Sequence, residues 1–225
     1  MHIFKVSIFL IISVLVIFLS AVHYKVEIKK PIILDIPNGS NTSFISNNLS
    51  KNEIIFNSSL FKFYSRIISS DQEFKAGEYK FESSQSIDSV VTKLVEGDFF
   101  YRKLTLLPGS TISNILQLGN SQGLENDLAN DPETVLKKLG INIQEGIFYP
   151  DTFYYLKGET FSSVLLKSHK KWKKISNQLW VDRNPDLPYK DLNQALTLAS
   201  IIEKEGLEKR KIAGVFVNRL NKNMK

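Results

Sequence analysis

The stretch Leu192 to Glu205 reads as a helix capped by Asp191, and it places a glutamate where a general acid needs one. At about 100° of turn per residue, Ala195, Leu196, Leu198, Ala199 and Ile202 define an apolar arc. Glu203 falls inside that arc, between Ala199 and Leu196, and Glu205 falls just outside it. Burial disfavours the charged form of a carboxyl group, so an acid in such an arc is expected to keep its proton closer to neutral pH. A carboxylic acid that first gives a proton and then takes one back suits the cleavage of a glycosidic bond. The competing role is structural: an ion pair with a basic residue of the next helix, such as Arg219.

Upstream, Glu145 precedes Gly146 and a dense aromatic loop, Ile147-Phe148-Tyr149-Pro150-Asp151-Thr152-Phe153-Tyr154. Glu145 suits either ligand binding or the bracing of backbone, and Asp151 suits a turn or a cap. The rings of Phe148, Tyr149, Phe153 and Tyr154 suit stacking on sugars or packing in a core. Other chemistries are poorly supplied. The chain has no cysteine, which excludes disulfide scaffolds, zinc knuckles and thiol nucleophiles. Its three histidines, His2, His23 and His169, are far apart in sequence, so neither a histidine metal cage nor a histidine-based triad is expected. No metal and no cofactor is called for.

The elements that must position these residues begin with a membrane-type segment. Val6 to Val22 are 17 consecutive uncharged residues. They would reach about 26 Å as a helix, the lower limit for a span. A cleaved signal peptide competes with an anchor, but Leu19-Ser20-Ala21 is a poor cleavage site. Charge does not orient the helix, because Lys5 precedes it while Lys25, Lys29 and Lys30 follow. The anchor reading is preferred.

Beyond Pro31, strand, turn and helix patterns recur. Ile33 to Ile36 alternates like a strand, and Thr42 opens a helix with Phe44, Ile45 and Leu49 on one face. Tyr79 to Phe81 is strand-like. Ser86 then caps a helix whose Ile87, Val90, Val91, Leu94 and Val95 point inward, with Gly97 as its stop. Lys103 to Leu107 is a third strand, followed by Pro108-Gly109-Ser110 and a short helix through Ile112, Ile115 and Leu116. These units suggest small α+β modules over residues 31 to about 120, resembling LysM-like sugar-binding modules. Residues 120–130 read as a polar linker, and Asp131-Pro132 then starts a helix that ends at Gly140. Residues 159–180 read as a long amphipathic helix. Its Lys167, Lys170, Lys171, Lys173 and Lys174 make either a solvated face or a contact with anionic glycan or lipid headgroups.

Composition bounds the partners. With 225 residues, 43% hydrophobic and 23% charged, the chain is neither disordered nor a many-spanning membrane protein. The net charge of +6 favours an anionic neighbour. No base-reading motif accompanies it, so nucleic acid is not expected.

Three runs in order, Glu145-Gly146-Ile147-Phe148-Tyr149-Pro150-Asp151-Thr152-Phe153, Leu198-Ala199-Ser200-Ile201-Ile202-Glu203-Lys204-Glu205 and Ala213-Gly214-Val215-Phe216-Val217-Asn218-Arg219-Leu220, resemble successive signatures of one family. It is the YceG/MltG-like family of endolytic murein transglycosylases, and the resemblance extends from the apolar segment to the last residue. It implies an α+β chain in three parts: a cytoplasmic tip and transmembrane anchor (1–24), a LysM-like α+β module (31–100) and a mixed α/β catalytic domain (101–225). It implies a single-pass protein of the inner membrane with its bulk on the periplasmic side. Its expected partners are peptidoglycan glycan strands, the inner membrane and the peptidoglycan synthases. By position it makes Glu203 the catalytic residue and gives Glu145, Tyr149, Asp151, Asn218 and Arg219 substrate-binding or supporting roles. The expected chemistry cleaves the MurNAc–GlcNAc bond without water, leaves 1,6-anhydroMurNAc ends and terminates glycan elongation. The chain stops before a Ser/Thr-Asp-Pro-Thr and tyrosine segment of the family, so a C-terminally incomplete catalytic domain is expected. A membrane-anchored glycan-binding protein without activity is the alternative. A hydrolase would need a second carboxylate about 5–9 Å from the first.

Overall fold

A long apolar helix, α1 (His2–His23), opens the chain, and small α+β structure follows it in two compact units, 1–100 and 101–225. The computed structural model describes residues 2–68, 73–128, 131–141 and 145–224. Among them, Lys5–His23 is the one helix long and apolar enough to cross a membrane. Phe9, Ile11 and Ile17 on it are 67–72% exposed, whereas Val22 near its end is fully buried.

In the first unit, β1 (Ile32–Ile36) pairs antiparallel with β2 (Gly77–Phe81), with Leu34 opposite Tyr79. Between them run α2 (Thr42–Lys51) and α3 (Ser58–Ile68), and α4 (Ile87–Glu96) follows β2. Local chemistry sets several boundaries. Asn41 caps α2 through the Phe44 amide. Ser86 and Ser89 form a reciprocal capping box on α4, and Gly97 ends it at φ 74°. The core gathers Ile36, Ile45, Leu49, Phe61, Tyr79, Phe81, Val90 and Leu94. Phe44, expected on the buried face of α2, is exposed, because Ile45, Ser46 and Leu49 take that face. Sequence periodicity missed α3 entirely. Tyr64 on this helix donates to Asp88 at 2.5 Å. Burial and that carboxylate push its phenol up to about 12.

In the second unit, β3 (Arg102–Thr105) pairs antiparallel with β4 (Thr152–Tyr155). The third strand pattern therefore belongs to this unit and does not extend a module to residue 120. The expected aromatic loop ends in a strand, since Thr152 to Tyr155 complete this sheet. Around it lie α5 (Ile112–Leu116), a 3-10 turn (Gln117–Asn120), α6 (Pro132–Leu139) and the long α7 (Phe161–Val181). Helices α8 (Leu192–Glu205) and α9 (Lys209–Asn221) form a hairpin after them. The core gathers Leu104, Leu106, Ile115, Val135, Phe148, Tyr155, Phe161, Val164 and Leu165.

Of the stretch expected as a linker, residues 120–128 are held by contacts to the start of α7, and 129 and 130 lie outside the described residues. Asp127 accepts from the Ser162 amide at 2.9 Å and the Ser162 hydroxyl at 2.6 Å, and Glu125 bridges to Thr160. Burial pushes the Asp127 carboxyl up, but the Ser162 bonds and Lys138 outweigh it and hold the group below its usual value. Those contacts fix the start of α7, on which the site depends.

Candidate active site

A cleft of about 780 Å³ opens in the second unit. Its walls are the turn after β3 (Leu106 to Thr111), the loop before β4 (Glu145 to Pro150), one face of α7 and the last turns of α8. The α7 wall is apolar, with Trp172, Ile175 and Leu179, and the hydroxyls of Ser110, Ser176 and Ser200 lie among the lining residues.

Helix α7 holds the loop in place. The Ser168 hydroxyl donates to the Tyr149 carbonyl at 3.1 Å, and Nδ1 of His169 lies 3.1 Å from the Ile147 carbonyl. A carbonyl only accepts, so the His169 proton sits on Nδ1. The imidazole stacks on Trp172 at 5.4 Å and 21°. The histidine thus braces the loop.

Glu203 lines the cleft from α8, with its Cγ against the turn after β3. A Cβ added to Gly109 would stand 3.6 Å from that carbon, and Gly109 itself needs φ 71°. The Glu203 side chain is 32% exposed and its carboxylate is paired with Lys209. This corrects the expectation of a buried arc. Leu198 is the one buried residue of α8, while Ala195, Leu196 and Ile202 are half-buried and Ala199 is exposed. Periodicity gave the direction in which Glu203 points but not its depth. Lys209 went unnoticed because it lies beyond the helix end, brought back by Gly206 at φ 153°.

Glu145 lines the opposite loop, and its carboxylate accepts from the Ile112 amide at 3.0 Å. It therefore braces the first turn of α5 while facing the cleft. Tyr149 also lines the cleft, and the Lys171 ammonium lies 4.8 Å from its ring centroid. Asp151 stands outside the lining residues. It holds Lys171 on one oxygen and accepts from its own Thr152 amide at 2.7 Å on the other. The lysine run on α7 therefore contains fixed members: Lys171 bridges Asp151 and Tyr149, and Lys167 pairs with Glu159 at 2.6 Å. Asn218 and Arg219 are exposed on α9 and do not line the cleft. Of the aromatics, Phe148 is core, Phe153 is half-buried and Tyr154 is 54% exposed.

The Lys171 bond, then the Thr152 amide, hold the Asp151 carboxyl below its ordinary value of 3.8. A depressed folded value means that the pair's stabilisation is present above the unfolded value and fades as pH falls through the lower one. Lys171→Met is expected to move the Asp151 titration up towards 3.8, read by NMR of the carboxyl carbon.

Fold and site together define an α+β protein with an acidic residue on each side of an apolar-walled cleft, preceded by one helix of membrane-spanning length. The chain belongs to the YceG-like family, whose model matches residues 34–225. It is 28% identical, over 87% of its length, to an endolytic murein transglycosylase of Streptococcus pneumoniae R6, of which it covers 41%. Another, from Bacillus subtilis 168, is 27% identical over the same share and is covered to 61%. The chain thus spans about half the length of these relatives. A solved structure of a YceG-like protein from Listeria monocytogenes is 25% identical, with 88% of this chain and 73% of that one covered at a TM-score of 0.37.

Proposed function

We propose that the chain acts as a membrane-anchored endolytic murein transglycosylase, with Glu203 as its acid and base. The observation that carries this reading is the placement of Glu203 on the cleft, beside the open Gly109 turn. Glycan enters along the apolar α7 wall and draws Lys209 away, and the freed Glu203 carboxylate takes up one proton from solvent. Glu203 then gives its proton to the oxygen joining MurNAc to GlcNAc, the C1–O bond breaks, and positive charge develops at C1. The resulting carboxylate takes the proton of the MurNAc C6 hydroxyl, whose oxygen bonds to C1 and closes the 1,6-anhydro ring. Glu203 ends the bond-breaking and ring-closing steps protonated, as it entered them, and returns that proton to solvent when the product leaves and Lys209 pairs again; no water is consumed. One acid/base residue suffices because the nucleophile is already part of the substrate.

Tyr149, held by Lys171, offers a ring for stacking, and Glu145 keeps the opposite wall in place. Asp151 fixes Lys171. Asn218 and Arg219 act through α9, which supports the helix that carries Glu203. In the first unit, a groove of about 520 Å³ lined by Ser40, Asn41, Thr42, Lys62 and Arg66 supports the LysM-like reading as a second hold on glycan. Helix α1 anchors the chain in the plasma membrane with both units outside the cytoplasm. The synthases that make the strands are its natural neighbours.

The paired state of Glu203 favours one second reading, a glycan-binding protein without turnover. Full-length protein in lipid nanodiscs, incubated with uncrosslinked glycan strands, separates the two by mass spectrometry of the strand ends. Internal fragments ending in 1,6-anhydroMurNAc are expected. Reducing MurNAc ends would instead indicate a hydrolase, and retained but uncut strands the binding protein.

A further inference from the structure

Helix α3 carries one wide apolar face, with Lys62 and Arg66 opposite it. Phe61, Tyr64 and Ser65 are buried in the core of the first unit, and Leu60, Phe63 and Ile67 form an outer stripe along the edge of the same face, beyond what the core covers. Phe63, Ile67 and the neighbouring Ile68 are 54–57% exposed. A soluble surface helix would carry polar residues there.

The stripe continues the surface of α1. The Phe18 ring meets Phe63 edge-on at 5.7 Å and Tyr64 at 6.3 Å. Phe18 precedes the end of the apolar helix at His23 by five residues, or about 7.5 Å at 1.5 Å per residue. Interfacial helices bury their apolar face about 5–10 Å into the boundary between headgroups and acyl chains, so the depths agree. The first unit has no slack to avoid that depth. Val22 is fully buried in its core, and Val26 and Gln85 exchange two backbone bonds of 2.8 and 2.9 Å just beyond the helix. Tyr24 and Phe56, edge to face at 5.4 Å, add the aromatic pair typical of a membrane boundary. Lys25, Lys29 and Lys30 are exposed and suit anionic headgroups.

We propose that the outer stripe of α3 lies in the interfacial layer of the bilayer that α1 crosses, so that the first unit rests on lipid rather than standing clear of it. This rests on the anchor reading of α1. The test uses the full chain, which has no native cysteine, carrying one cysteine at a time labelled with an environment-sensitive NBD dye. Val14→Cys probes the span, Phe63→Cys and Ile67→Cys the stripe, and Lys51→Cys an exposed position outside it. All four replace exposed side chains, and circular dichroism checks that each variant is folded.

In vesicles of phosphatidylcholine and phosphatidylglycerol, the labels at 14, 63 and 67 should shift to the blue. A lipid quencher placed near the headgroups should quench the labels at 63 and 67, while the label at 51 keeps its aqueous spectrum. Aqueous labels at 63 and 67 with a buried label at 14 would overturn the surface contact and leave the anchor standing. An aqueous label at 14 would overturn the anchor and this inference with it. Equal quenching at 51 and 67 would show general immersion and no selective stripe.

Discussion

Glu203→Gln is expected to remove anhydro-ended products, lowering their rate of formation by at least about 100-fold, the smallest contribution usual for a general acid or base. Glutamine keeps the size and the hydrogen-bonding tip of the side chain but can neither give nor take the proton that the cycle passes. The stability of the chain should barely change. The pair with Lys209 is half-exposed, with side chains 50% and 32% accessible, and such pairs contribute about 0–1 kcal/mol. An unaltered melting temperature with lost turnover would assign the effect to chemistry. Retained anhydro products would remove Glu203 from the mechanism. Lys209→Met separates the pair from the reaction: its products should persist, because the lysine only holds the carboxylate between turnovers.

Phe161→Ala should destabilise the second unit by about 3–5 kcal/mol, a large part of the 5–15 kcal/mol available to a domain. Phe161 is fully buried at the start of α7, and its amide donates to the Glu125 carbonyl at 2.8 Å. The ring lies so close to Gly119 that a Cβ there would stand 2.8 Å from its Cδ1, so the cavity left by alanine has stiff walls. Both tryptophans of the chain, Trp172 and Trp180, lie in this unit, so their fluorescence reports its unfolding. The urea midpoint should fall with little change in slope. An unmoved midpoint would mean that the packing around Gly119 is not as described.

Features set by local chemistry were legible in the sequence. Ser86 and Gly97 bound α4, Asp131 and Gly140 bound α6, and Asp191 caps α8, because a cap depends on residues three or four apart. Long-range features were not. Strand β3 was legible as the run from Lys103 to Leu107, but the four-residue β4 is too short to stand out of the aromatic loop, and their partnership joins residues about fifty positions apart. The apolar face of α3 was present in the sequence, with Leu60, Phe61, Phe63, Tyr64 and Ile67 opposite Lys62 and Arg66, but a reading by strand, turn and helix units passed over it because no strand precedes it. In the site, the direction of Glu203 followed from spacing alone. Its exposure and its pairing with Lys209 depend on how α8 meets the rest of the unit and on the turn at Gly206. Lys171 looked like one solvated lysine among five until the loop brought Asp151 and Tyr149 to it.

Each two-stranded sheet closes within its own stretch of chain: β1 with β2 in residues 1–100, β3 with β4 in residues 101–225. Among the described residues, neither unit borrows a strand from the other, and this bears on how the chain is made. Once residues up to about 100 have emerged during synthesis, the first unit holds every strand and helix of its core and can fold before the rest exists. The second unit must wait until β4 appears, and α8 with Glu203 comes later still. Folding during synthesis would therefore complete the first unit before the cleft around Glu203 exists.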